Sequence, residues 1–312
     1  MLGWLVVRNL KLTLAYDGAA FHGWQKQPDL RTVQSTVEQA VRRVIRHQVH
    51  VVGASRTDAG VHAAGQVANF WSISSLPAQT LFHAIGARLP KDSTLIHLAE
   101  VPLAFHATRS AIAKLYRYRV FADRGRPVEE LLHACTYHFW HPLDLSAMAR
   151  AAETFVGTHD FSAMASRGNA RSSNVRHVDR CDVYRVGREV RFDVVGNGFL
   201  YNMVRNMVGT LLEVGRGAWP PGRVAEILKS QDRRQAGPTA PARGLCLRWV
   251  RYDLAAVPRE LPPIPPQPHF KQITEAPAVQ EVAKPGRGTR PTESSLAPVM
   301  PPGTDLDEEP SG

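Results

Sequence analysis

Arg180-Cys-Asp-Val-Tyr-Arg-Val-Gly-Arg-Glu-Val-Arg-Phe-Asp-Val-Val195 is the stretch whose reading decides the fold class. It predicts two short strands, 180–186 and 189–195, joined by Gly187-Arg188, a connection short enough to close a tight hairpin. Downstream, Leu200, Met203, Val204, Met207, Val208, Leu211 and Leu212 recur at helical spacing, which predicts a helix over 199–214. A second helix over 222–229 and a last strand over 246–252 follow. Upstream, residues 115–121 alternate as a strand does, and a helix over 144–156 carries Leu145, Met148, Ala149, Ala152, Phe155 and Val156 on one face.

The first hundred residues repeat this alternation of strand and helix. Residues 11–15 read as a strand ended by the turn Tyr16-Asp17-Gly18. Thr32 is the expected N-cap of a helix reaching about His47, with Val33, Val37, Ala40, Val41, Val44 and Ile45 on its buried face. A strand over 48–53, a loop over 54–64, a strand over 66–71, a helix over 78–88 and a strand over 94–101 complete the set. Hairpins with crossover helices point to an α+β fold with a largely antiparallel sheet covered on one side. The expected organisation is an N-terminal α/β domain over 1–104, a C-terminal α/β domain over 105–258 and a tail over 259–312. That tail holds 12 of the chain's 23 prolines and ends in Asp305-Leu-Asp-Glu-Glu309, so disorder is expected there.

Charge separates the same regions. The 312-residue chain carries +10. The tail has 5 basic and 8 acidic residues, hence −3, which leaves 33 basic and 20 acidic residues, hence +13, on residues 1–258. A domain this basic fits a polyanionic partner whose counterions it displaces. Cys135, Cys181 and Cys246 are odd in number and far apart, which argues against a disulfide scaffold or zinc ribbon and fits a reducing cytosol. His47 and His50 lack the company of a metal-ligand set. The apolar start, Met1 to Val7, is too short to span a membrane and is interrupted by Arg8 and Lys11.

The segment Gly53-Ala-Ser-Arg-Thr-Asp-Ala-Gly-Val-His62 carries the chemistry. It places Arg56 and Asp58 two apart in a loop of small residues, where an extended backbone points both the same way. A neighbouring cation is expected to hold the Asp58 carboxylate ionised and lower its pKa. On the 199–214 helix, Arg205 lies off the apolar stripe, in line with Asn202 and Gly209, and is free to face a cleft. On the 115–119 strand, Tyr116 and Tyr118 share one side, with Leu115, Arg117 and Arg119 on the other.

Five segments in order carry a resemblance. They are Ala15-Tyr-Asp-Gly18 with Phe21-His-Gly-Trp-Gln25, Ser55-Arg-Thr-Asp-Ala-Gly-Val-His62 with Gly65-Gln-Val67, and Phe105-His-Ala107 with Tyr116-Arg-Tyr118. Met203-Val-Arg-Asn-Met-Val-Gly209 and Ala242-Arg-Gly-Leu245 complete them. Across about residues 8–254 the chain resembles the tRNA pseudouridine synthase A family. Ser55 departs from that pattern, which usually has glycine before the arginine.

The resemblance implies two α/β halves whose sheets join into one, with the active cleft between them. It also implies a cytoplasmic homodimer, tRNA as partner, no metal or organic cofactor, and uridine at positions 38, 39 and 40 of the anticodon arm as substrate. Asp58 is then the catalytic carboxylate, suited either to nucleophilic attack or to taking a ribose proton. Arg205 is its ionic partner. Tyr116 stacks on the uracil or receives the C5 proton, and Leu245 packs against the extruded base. Arg56 contacts the RNA backbone as well as pairing with Asp58. Arg42, Arg43 and Arg46 on the first helix, and Arg167, Arg171 and Arg176 in a later loop, are expected to form RNA-binding patches. An RNA-binding protein of this fold without catalysis is the alternative, against which the presence of Asp58, Tyr116 and Arg205 weighs. An aspartate-nucleophile hydrolase would need metal-binding acidic residues near Asp58, and the loop has none.

Overall fold

The computed structural model describes residues 6–122, 135–166 and 173–258. Residues 1–5, Arg167, Arg171 and the proline-rich tail lie outside these ranges. The first elements are β1 (Arg8–Tyr16), α1 (Val33–Ile45), β2 (Val52–Gly53), β3 (His62–Ser72), α2 (Ala78–Gly86) and β4 (Ser93–Val101). Next come β5 (Ala111–Ala122), β6 (Tyr137–Phe139), α3 (Leu145–Glu153), β7 (Gly157–Asp160), β8 (Val175–Val186) and β9 (Glu189–Gly196). The last are α4 (Met203–Gly215), α5 (Arg223–Ser230) and β10 (Leu245–Tyr252).

The strands form one sheet in the order β4-β1-β3-β10-β5-β9-β8-β7, with β2 against β3 and β6 against β5. β10 runs parallel to β3, and β6 parallel to β5. The remaining ladders are antiparallel, so the expected α+β class with a continuous, mainly antiparallel sheet is what the chain adopts. The hairpin at Gly187-Arg188 pairs Val186 with Glu189, and Gly187 has φ +57°, as the first corner of a type II′ turn requires. β10, last in sequence, lies mid-sheet, with Cys246 opposite His62 and Leu247 opposite both Ala63 and Tyr116.

Thr32 caps α1 as expected, in a reciprocal bond pair with Ser35. Sequence and structure differ at two informative places. The strand expected over 48–53 shrinks to β2, because the Val51 N–H donates to Glu38 Oε1 and its C=O accepts from Gln34 Nε2, both on α1. A backbone spent on side chains is lost to the ladder. The helix expected from Phe199 begins at Met203, because Asn202 takes the left-handed conformation (φ +59°) that asparagine tolerates better than most residues. β6 and β7, three and four residues long, are too short to leave an alternation signal.

The main core lies between the helices and the sheet face bearing Leu10, Leu12, Leu14, Ala68, Phe70, Tyr116 and Tyr118. A smaller cluster of Ala54, Val67, Val101, Phe105 and Ala107 covers the opposite face near the site. There, buried Asn9 and Asn69 bond each other at 2.9 Å; Asn9 also donates to the Phe105 C=O and Asn69 accepts from the Ala107 N–H. Phe105-His-Ala107 is thereby fastened to the sheet.

Candidate active site

Residues 54–61 form the turn between β2 and β3, and a second turn braces them. The Trp24 N–H donates to the Thr57 C=O at 2.9 Å, and the Gly60 N–H to the Phe21 C=O at 3.3 Å. Gly23 makes this approach possible: its φ is +86°, and a Cβ there would lie 2.8 Å from the Thr57 oxygen. The Phe21–Gln25 motif is thus the support of the Asp58 loop.

Arg205 Nη1 reaches Asp58 Oδ2 at 3.1 Å, with 17% and 16% of the two side chains exposed. The guanidinium is fixed from two further sides, by Nε to the Ala240 C=O at 2.8 Å and Nη1 to Asn202 Oδ1 at 2.6 Å. Ala240 can sit there because Gly209 lets the 236–240 segment lie directly on α4, where a Cβ would come 1.7 Å from the Pro238 oxygen. Asn206 and Thr210, buried on the same helix, secure that segment by accepting from Thr239 Oγ1 at 2.6 Å and the Gly237 N–H at 3.0 Å.

Burial pushes the Asp58 carboxyl above its ordinary value, while the hydrogen bond and charge of Arg205 pull it back; burial prevails. The expectation of a lowered pKa is therefore reversed. Arg56 is exposed on the cleft wall and, among the described residues, makes no ion pair with Asp58, so the pairing expected between them falls to Arg205 alone.

The Tyr116 hydroxyl lies 2.8 Å from Ser55 Oγ, and its ring meets Phe199 edge-on at 5.3 Å between centroids. Burial raises the phenol's pKa, so it is neutral at pH 7. Tyr118 is not among the residues lining the cleft; it donates to the Pro241 C=O at 2.7 Å and packs against Gly244. Lys114, two residues before Tyr116, donates from Nζ to the Ala54 C=O at 2.7 Å. Leu245 opens β10 and is 5% exposed.

Arg56, Asp58, Tyr116, Arg205 and Leu245 line one cleft of about 480 Å³, a volume usual for sites that take a small group. Sequence reasoning marks Ser55 only as a departure from the family pattern and gives no sign of Lys114, Phe199 or the Ala240 carbonyl; Asn202, three residues before Arg205, carries a signal in its helical spacing. Arg42 and Arg43 line a separate groove with Lys26, Arg31 and Arg88, and Arg46 is exposed at the left-handed end of α1. Arg176 donates to the Ser173 C=O at 3.0 Å.

A half-buried carboxylate–guanidinium pair, an aromatic wall and cationic surroundings define an enzyme-like cleft suited to one planar group of a polyanionic chain. The model of the tRNA pseudouridine synthase family matches residues 13–108 and 151–253. The tRNA pseudouridine synthase A of Acetivibrio thermocellus is 45% identical over 246 residues, covering 79% of this chain and 100% of the relative. That of Moorella thermoacetica is 43% identical over 248 residues, covering 78% and 99%. An archaeal box H/ACA sRNP Nop10-Cbf5 complex is 13% identical with a TM-score of 0.28, covering 73% of this chain and 60% of that one, a likeness too low to carry an argument. The chain belongs to the tRNA pseudouridine synthase family, isomerases that act on tRNA.

Proposed function

We propose that the chain converts uridine to pseudouridine at positions 38, 39 and 40 of the tRNA anticodon arm, as a cytoplasmic homodimer, with Asp58 as catalytic carboxylate. The observation that carries the site assignment is the ionic contact of Asp58 with Arg205 at 3.1 Å inside the cleft. The positions, the dimer and the compartment rest on resemblance to the tRNA pseudouridine synthase A family. None of the described helices is long and apolar enough to cross a membrane.

The reaction breaks the N1–C1′ bond, turns the uracil and joins C5 to C1′, with a proton leaving C5. Nothing is oxidised and no water is consumed. Ionised Asp58 serves by attack on the ribose carbon or by taking a ribose proton, and Arg205 holds it in its charged form against the cost of burial. Neutral Tyr116 offers the uracil a stacking face, and its hydroxyl takes the C5 proton as it gives its own to the freed uracil N1, which leaves the phenol and the Ser55 hydroxyl bonded to it both neutral. Leu245 closes the apolar side of the base. Arg56 and the α1 arginines engage phosphates.

The test is an unmodified tRNA carrying uridine at 38, 39 and 40, read by carbodiimide-dependent reverse-transcription stops. Stops at those positions are expected. Stops only elsewhere would overturn the positional assignment, and a monomeric mass by light scattering would overturn the dimer.

A further inference from the structure

Gln66 lies in β3 with no exposed surface, on the same face as Leu14, its neighbour in β1. A primary amide placed among apolar side chains costs free energy unless its donors and acceptor are used. Every polar contact of this amide goes to the loop that bears Asp58 or to that loop's support. Its Oε1 accepts from the Ser55 N–H at 3.3 Å, and its Nε2 donates to the Ser55 C=O at 2.7 Å. The same Nε2 donates to the Tyr16 hydroxyl at 3.3 Å, and that hydroxyl lies 2.8 Å from Thr57 Oγ1. Ser55 in turn places its Oγ 2.8 Å from the Tyr116 hydroxyl.

We propose that Gln66 is the positioning residue of the reaction: one buried amide fixes Ser55, and through it the Tyr116 hydroxyl, while through Tyr16 it fixes Thr57, the residue before Asp58. The inference rests on the reading of Asp58 and Tyr116 as the reacting groups. The geometry explains why a polar residue occupies an apolar strand position. Arg56, between the two anchored residues, has no such tether among the described residues and is exposed on the cleft wall. A loop held at the residues on both sides of the arginine presents Asp58 at a set distance from Arg205 before any RNA enters.

The test compares Gln66→Leu, Gln66→Glu and Ser55→Ala with the wild type. Three quantities are read: kcat for tritium release from [5-³H]uridine tRNA, the Kd for that tRNA, and amide exchange of residues 54–61. Gln66→Leu is expected to lower kcat about 10- to 100-fold, as misplacement by an ångström does, with Kd within about twofold. Its 54–61 amides exchange faster while β5 and β9 keep wild-type protection. Gln66→Glu retains more activity than Gln66→Leu near neutrality, because burial keeps the introduced carboxyl protonated and able to donate to the Ser55 C=O. It then loses activity on an alkaline limb that the wild type lacks. Ser55→Ala lowers kcat while leaving 54–61 exchange near wild type, since the backbone clamp remains.

Unchanged loop exchange in a cooperatively melting Gln66→Leu variant, or faster exchange with unchanged kcat, overturns the proposal. If Gln66→Leu does not fold, the alkaline limb of Gln66→Glu decides, and its absence overturns the proposal. Activity retained by Asp58→Ala would instead refute the reading of the site, whatever the exchange shows.

Discussion

Asp58 is held between opposing forces, since burial resists its charge and Arg205 supports it. If the ionised form reacts, kcat must fall as pH drops through a value above the 3.8 of an ordinary aspartate. Arg205→Leu removes the stabilising charge, so that acidic limb should move further up and the plateau should fall, by at least about tenfold. A limb that stays in place in Arg205→Leu would contradict the pairing. Stability follows the same sign. A native pKa raised above the unfolded one favours the protonated form, so this contribution is lost as pH rises through the native pKa. Asp58→Asn, which cannot ionise, should therefore gain Tm over the wild type at pH 8, with the gain shrinking towards pH 4. Equal differences at both pH values would show that ionisation is not the cause. The direction of this shift was not legible in sequence, which displays the cation beside a carboxylate but not the burial that outweighs it. Nor does residue spacing by itself say which cation: Arg56 is near in the chain, while Arg205, named only by the family resemblance, comes from α4 with its guanidinium already tied to Asn202 and Ala240.

α4 shows how an element turns sequence periodicity into site geometry. Its apolar stripe was plain, and so was the departure of Arg205 from that stripe. Hidden was the 236–240 segment that lies over the polar side of the helix, because no local pattern says where an irregular segment docks. Gly209 is the residue that permits it. Gly209→Ala should lift that segment, cost about 1–3 kcal/mol of stability by overpacking, and detach the Ala240 carbonyl from Arg205. Chemical denaturation and kcat should fall together; a wild-type midpoint would show that the contact is not tight. At β2 the strand pattern was real but lost to Glu38 and Gln34, whose side chains take the Val51 backbone. Competition of this kind arises in three dimensions and leaves no mark in a run of six residues.

Across the whole molecule, the hairpin at Gly187 and the alternation of strands with amphipathic helices were enough to read an α+β sheet. The placement of β10 at its centre was not, since a parallel pairing between residues nearly two hundred apart has no local signature. That pairing brings Leu245 to the cleft. Charge acts at this scale too. Binding of tRNA should weaken at least about tenfold between 50 and 200 mM salt, as counterion release demands. A chain ending at Pro258 should keep the full kcat and bind tRNA no more weakly, because the segment removed carries −3 and lies beyond the family match at residue 253. Weaker binding by the shortened chain in a filter assay would assign the tail a role in recognition. The central claim is that the Asp58 carboxylate, in the cleft assembled by the β2–β3 turn, β5, α4 and β10, carries the isomerisation. Release of tritium from [5-³H]uridine tRNA measures it most directly. The account predicts release by the wild type and a loss of at least about a thousandfold in Asp58→Ala, within the range set by a lost catalytic group, with tRNA still bound; comparable release by Asp58→Ala would contradict it.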